Sequence, residues 1–171
     1  MNNHAPQLII EGSALPEPFK DAFAYWQALR QPQWAPAWPS FQLDKLHPKL
    51  LPWAVVVDVL CEPRDFEYRY WGTSRGRLIG KEMTGLKASD IADAHMRAGN
   101  FEEYIAVCAA KKPLLCQTPV TMSAGRQVSF HSMRLPFRDH DERVSHIFSV
   151  VDYEEINADH YAYYGTRPTG L

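Results

Sequence analysis

An aromatic strand that ends in a glycine-marked turn is the feature that most constrains the fold of this chain. Residues 65–73 read Asp-Phe-Glu-Tyr-Arg-Tyr-Trp-Gly-Thr, in which large aromatic residues alternate with charged ones. That period of two is typical of a β-strand with two different faces. Gly72 ends the pattern, and a second glycine-bounded segment at 80–85 reads Gly-Lys-Glu-Met-Thr-Gly. We therefore predict a strand that leads through a turn into short helices.

The alternation also predicts which side chains share a face of the sheet. Phe66, Tyr68 and Tyr70 are expected on one face, whereas Arg69 and Trp71 are expected on the other. One face would meet the helices and the other needs a cover. An N-terminal helix packed on Trp71 is the candidate cover, either within the chain or from a second subunit.

Residues 16–31 carry the pattern of that amphipathic helix. Its apolar residues recur at helical spacing and are Phe19, Ala22, Phe23, Trp26 and Leu29. Three of them, Phe19, Phe23 and Trp26, are candidate contacts for a homodimer. Three prolines and two tryptophans at 32–39 predict a loop held against the body of the protein. Residues 41–46 predict a second short helix with Ser40 as its N-cap.

The remaining segments complete the predicted order of elements. Strand patterns occupy 54–60, 66–71, 114–122, 127–137 and 143–153. A helical region is expected at 74–112, with interruptions at 80–85 and 95–100. The fold class is therefore α+β: a five-stranded antiparallel sheet with short helices on one face and an N-terminal amphipathic helix.

Length and composition predict a single-domain cytoplasmic protein. The chain has 171 residues, of which 46% are hydrophobic and 22% charged, enough for one core with a terminal extension. No signal-peptide pattern opens the chain, and no apolar run approaches the roughly 18 residues of a membrane span. The net charge is −2, so the composition does not predict the basic surface that nucleic-acid binding requires. We expect neither a nucleic-acid partner nor a membrane.

Two linked motifs resemble those of the stand-alone bacterial PAS domain family (PAS_5-like). They are Tyr-Arg-Tyr-Trp-Gly-Thr at 68–73 and Gly-Lys-Glu-Met-Thr-Gly at 80–85. The resemblance extends over about residues 20–155 and divides the chain into three parts. Residues 1–39 form an N-terminal tail, amphipathic helix and loop; 40–155 form the PAS-like domain; and 156–171 form a C-terminal tail.

The resemblance implies a signalling domain that senses a small molecule or binds a protein, without an output domain of its own. Its output would then pass to a protein partner, and a homodimer is possible in such a family. The cofactor, if any, is unknown from the sequence. Pocket candidates that could contact a ligand are Tyr68, Tyr70, Thr84, Tyr104, His131 and His146.

Other constellations offer alternatives. Asp58 with a strand histidine, first of all His131, would suit a small cone-shaped α+β isomerase or hydratase. A core filled by Tyr68, Tyr70 and Trp53 would instead suit a ligand-free dimerisation module.

Metal and cofactor sites are less favoured. His131, His146 and Cys116 invite a metal site, but their spacing does not specify one, so none is predicted. His95 is an isolated candidate haem ligand. Cys61, Cys108 and Cys116 are odd in number, which favours reduced thiols over disulfides. The glycines at 72, 80 and 85 are expected to serve turns in left-handed conformations rather than to bind phosphate.

Overall fold

One antiparallel sheet organises the protein, whose computed structural model describes residues 7–8, 14–121 and 125–165. Its strands are β1 (Gln7–Leu8), β2 (Ala54–Cys61), β3 (Arg64–Trp71), β4 (Leu114–Thr121), β5 (Gln127–Arg138) and β6 (Val144–Val151). Their order across the sheet is β1-β4-β5-β6-β2-β3. The five long strands are those predicted from alternation, so the predicted fold class is confirmed. The two-residue β1 adds an edge strand in a segment expected to be a tail.

The described part of the chain contains four α-helices, which pack on the sheet. They are α1 (Glu17–Arg30), α2 (Thr73–Ile79), α3 (Ala94–Ala110) and α4 (Ala158–Gly165). The amphipathic helix predicted at 16–31 is therefore confirmed as α1. The C-terminal segment predicted as a tail begins with α4, and its last residues, 166–171, lie outside the described part of the chain.

Two helix predictions were wrong for local reasons. The break expected at 95–100 does not occur, because the Asp93 side chain caps α3 by accepting a hydrogen bond from the Met96 backbone N–H at 2.8 Å. The helix expected at 41–46 is replaced by short 3-10 turns at Trp38–Ser40 and Leu43–Lys45. Ser40 is not an N-cap there, since its hydroxyl donates back to the Ala37 carbonyl at 2.7 Å.

The sheet separates two hydrophobic cores. On one face α1 packs against β5 and β6, where Phe19 and Trp26 are buried. The Trp26 indole N–H donates to the Pro136 carbonyl at 2.7 Å, which ties α1 to β5. The cover of this face therefore comes from within the chain, and a dimer role remains geometrically open only for the partly buried Phe23.

A β-bulge reverses the facing predicted for the end of β3. Val56 pairs with Tyr70, but the next residue of β2, Val57, pairs with Tyr68, so Arg69 is an extra residue. After the bulge the alternation is shifted by one position. Tyr70 consequently lies on the α1 face, and Trp71 lies in the core beneath the other helices. The predicted packing of α1 on Trp71 was therefore wrong.

Candidate functional site: a cavity between sheet and helices

A cavity of about 570 Å³ lies on the face of the sheet opposite α1. Residues of β2, β4, β5 and β6 form its floor, and α2, α3 and α4 contribute its walls. Its apolar wall includes Trp53, Val55, Met96, Phe130 and Val151. The volume falls within the roughly 300–1,000 Å³ of small-molecule sites. The architecture thus offers space for an organic ligand.

A buried ion pair forms part of the cavity floor. Arg134 on β5 is 5% exposed, and its Nε donates to Glu103 Oε2 on α3 at 3.0 Å. Its Nη1 donates to the hydroxyl of Ser149 at 3.0 Å and contacts the Tyr104 hydroxyl at 3.3 Å. Burial lowers the pKa of Arg134. At the high pH where an arginine titrates, the ionised Tyr104, Glu103 and Cys116 outweigh burial and leave that pKa above its ordinary value. The pair fixes α3 against the sheet.

A second buried arginine in the cavity wall has no counter-charge among the described residues. Arg75, on α2, is 8% exposed and contacts the rings of Trp71 and Phe130, with its guanidinium carbon 5.3 and 5.8 Å from their centroids. Within the described chain, its Nε and Nη1 atoms have no hydrogen-bond partner, and neither has the hydroxyl of Ser132. Burial lowers the pKa of Arg75, yet an arginine stays protonated at neutral pH. Arg75 and Ser132 both line the cavity, so its lining includes buried donors that have no partner among the described residues.

The six pocket candidates from the sequence do not line this cavity. Tyr68 and Tyr104 are buried in the core and do not line the cavity. The Tyr104 hydroxyl contacts Arg134, which does line it. Thr84 is exposed and donates to Glu82. His131 is held by Glu155, with Nδ1 to Oε1 at 2.8 Å.

Tyr70 and His146 lie on the α1 side of the sheet. The Tyr70 hydroxyl donates to the Leu51 carbonyl at 3.0 Å. The His146 ring stacks on Trp38 with centroids 3.8 Å apart. A ligand-contact role for the six residues stays a prediction, and the cavity directs attention to other side chains.

His95, singled out from the sequence, lines the cavity. Sequence reasoning missed the other polar residues of the lining, although β5 carried a signal for two of them. Ser132 and Arg134 have the parity of Phe130, which faces the helices, whereas Met133 and Leu135 face α1. A charged residue at an inward strand position is unusual and marks a candidate site. Arg75 had no comparable signal, because a single arginine on a seven-residue helix is ordinary.

Asp58 meets a histidine, but not His131. Its Oδ1 lies 3.2 Å from Nε2 of His146, and Arg69 grips both carboxylate oxygens through Nε at 2.6 Å and Nη2 at 2.7 Å. Neither Asp58 nor His146 lines the cavity. The Asp58–His131 pair expected for an isomerase-like enzyme is not formed.

The Asp58 cluster predicts a specific loss of stability in acid. Burial raises the pKa of Asp58, but hydrogen bonds from His146 and Arg69 outweigh it and hold the pKa below its ordinary value. A depressed folded-state pKa contributes stability above the unfolded pKa, about 3.9, which disappears as pH falls through the folded-state pKa. We expect the urea midpoint of the protein to fall across that window. The fall should be smaller in D58N and unchanged in D44N, at an exposed aspartate; equal falls in all three proteins would contradict the assignment.

The cysteines and histidines do not assemble into a metal site in the described part of the chain. No group of three or more His, Cys, Asp or Glu side chains there could hold an ion. Burial raises the pKa of Cys108 to about 11 and that of Cys116 to about 12. Both thiols therefore stay protonated at neutral pH and are poor nucleophiles and ligands.

The fold is thus an antiparallel sheet of five long strands and one short edge strand, with a ligand-sized cavity beneath its helices. The PAS domain family model matches residues 16–151, so the chain belongs to the PAS domain family, a family of sensory and signalling domains.

Other comparisons are more distant. The chain is similar to a solved RNA-binding Light-Oxygen-Voltage receptor at 12% sequence identity and a TM-score of 0.45. That match covers 94% of this chain and 40% of the receptor chain, so this chain spans less than half of the receptor's length. No curated protein sequence matches significantly. Among the described helices, none has the length and apolar character required to cross a membrane.

Proposed function

We propose that this PAS domain senses a small molecule that binds in the cavity and passes the bound state to a protein partner. The observation that supports the proposal is the 570 Å³ cavity itself, because a domain selected only for packing does not leave such a volume unfilled. Its lining combines an apolar wall with buried polar groups, which suits an oriented organic ligand.

Helix α4 offers a route from ligand to partner. Tyr163 and Tyr164 of α4 belong to the cavity wall. The helix is held to β5 through His160, whose Nε2 lies 3.3 Å from the Ser129 carbonyl oxygen. An ion pair joins Asp159 to Arg126, the residue that precedes β5. A ligand in contact with the two tyrosines would alter how firmly α4 docks. A partner that binds α4 would then distinguish the two states.

Filling the cavity at Gly99 tests the proposal. Gly99 lies in the wall, and a Cβ atom built there meets no atom within 4 Å, so G99F can place its ring in the cavity without a backbone clash. Native mass spectrometry of protein purified from the cells that make it should show a retained ligand in the wild type and none in G99F. The matched control is A98F on the exposed face of α3, which should keep the ligand.

The same spectra report subunit number and so address the alternatives. A wild-type protein that carries no ligand and binds none on addition, but forms a dimer, would favour the ligand-free dimerisation module. Retention of equal amounts of ligand by G99F and wild type would show that the ligand lies elsewhere.

A further inference from the structure

Arg75 is a buried cation in the cavity wall without a counter-charge among the described residues, and it bears on the chemical class of the proposed ligand. Burying a charge without a counter-charge is costly, and proteins normally pair it or leave it in water. Arg75 is instead buried, in contact with two aromatic rings, with two nitrogen atoms that lack hydrogen-bond partners among the described residues. We infer that Arg75 binds the carboxylate of an organic monoanion with an apolar body, an inference that rests on the ligand-sensing function proposed above.

The charges around the cavity favour a single negative charge on the ligand. Arg134 is already matched by Glu103, so it adds no free positive charge. Glu103 and Glu102 both line the cavity, and they would repel a ligand with several negative charges. One guanidinium therefore remains for one carboxylate. A nucleotide or a polyphosphate would leave most of its charge unmatched.

The rest of the lining favours an organic acid over an inorganic anion. Trp53, Val55, Met96 and Val151 supply apolar surface, which gains free energy only by covering apolar ligand atoms. The buried Ser132 hydroxyl is unpartnered within the described chain and supplies a neutral donor. Together these groups suit a carboxylate attached to an aliphatic chain or an aromatic ring.

Matched acids and amides test the inference. Benzoate, 3-phenylpropionate, hexanoate and octanoate would each be compared with its primary amide by titration calorimetry on the full chain stripped of retained ligand. A charge-assisted hydrogen bond predicts that the acids that fit bind at least about tenfold more tightly than their amides. R75M should lose this preference. R75K keeps the charge and should retain a preference for the acid.

The control is R77M, because Arg77 lies on the same helix and is exposed; it should bind as the wild type does. Ligand-free R75M should unfold at the same temperature as wild type or higher, since it removes an unpaired buried charge, so loss of binding cannot be assigned to unfolding. Acids and amides that bind equally, or acid preference that survives in R75M, would overturn the inference and leave ligand sensing intact. Absence of binding by every acid and amide, together with no retained natural ligand, would overturn both.

Discussion

Replacing Arg134 by methionine is expected to destabilise the domain by about 3–5 kcal/mol, the usual cost of removing one partner from a buried ion pair. The side chains of Arg134 and Glu103 are only 6% and 14% exposed, so R134M would leave a buried carboxylate without its cation. The variant would also lose the hydrogen bond to Ser149 and the cation–π contact with Tyr104. For a domain of this size the melting temperature should fall by roughly 6–20 °C.

A double variant separates the loss of the pair from the loss of a large side chain. E103L/R134M removes both charges and leaves apolar groups of similar volume, so it should recover most of the stability lost in R134M. Thermal unfolding of wild type, both single variants and the double variant gives the coupling energy. A double variant no more stable than R134M would show that the ion pair is not what holds α3 to the sheet.

Replacing Gly72 by alanine is the second large effect, with an expected loss of about 3 kcal/mol, at the upper end of what overpacking costs. A Cβ atom at Gly72 would lie 2.3 Å from the Pro52 carbonyl oxygen and 2.7 Å from that of Leu51. Both atoms belong to backbone, so a side-chain movement cannot relieve the clash. The variant must displace the Leu51–Trp53 turn from the end of β3, which chemical denaturation would detect as a lower midpoint.

Gly76 provides the matched control, in the helix that Gly72 precedes. Its added Cβ would lie 3.5 Å from the Lys81 carbonyl oxygen, an ordinary contact. G76A should therefore stabilise the protein by about 0.5–1 kcal/mol, because alanine costs less conformational entropy in a helix. A G72A protein as stable as G76A would contradict the close approach of the two backbone segments.

The structure gives a different reason for glycine at position 72 from the one predicted from the sequence. All three motif glycines were expected in left-handed conformations, and Gly80 and Gly85 have φ of 75° and 82°. Gly72 has φ of −63°, which any residue adopts. It must be glycine because the chain passes against Pro52, twenty residues earlier. A glycine's preference for a left-handed conformation is local, so it can be predicted from the sequence. The contact between Gly72 and Pro52 depends instead on how the end of β3 packs against the Leu51–Trp53 turn.

The same distinction separates the ligand contacts predicted from the sequence from the residues that line the cavity. The ligand contacts predicted from the sequence were four aromatic or hydroxyl side chains and two histidines, whereas the cavity lining includes Arg75, Ser132 and Arg134. Arg75 belongs to α2, and Ser132 and Arg134 belong to β5, so Arg75 and Ser132 are 57 positions apart in the chain. These residues come together because of the order of the strands and the docking of the helices, and neither can be predicted from a local sequence pattern.

By itself, the sequence determined the elements and the family. Periods of two and of about 3.6 residues are local consequences of which side chains can be buried together, and they located the five long strands and α1. The two motifs at 68–73 and 80–85 indicated a PAS domain, which the family match confirms. These features can be predicted without knowledge of any contact between residues distant in the sequence.

Only the tertiary structure decided which faces those elements present. One extra residue at Arg69 moves Trp71 to the opposite side of the sheet, because strand facing depends on register with a neighbour rather than on the strand alone. Helix docking then leaves a cavity whose wall contains Arg75, an arginine with no counter-charge among the described residues. The aromatic strand β3 thus contributes to the core of the fold. The candidate ligand contacts come from residues that are distant in the sequence and meet only in the folded protein.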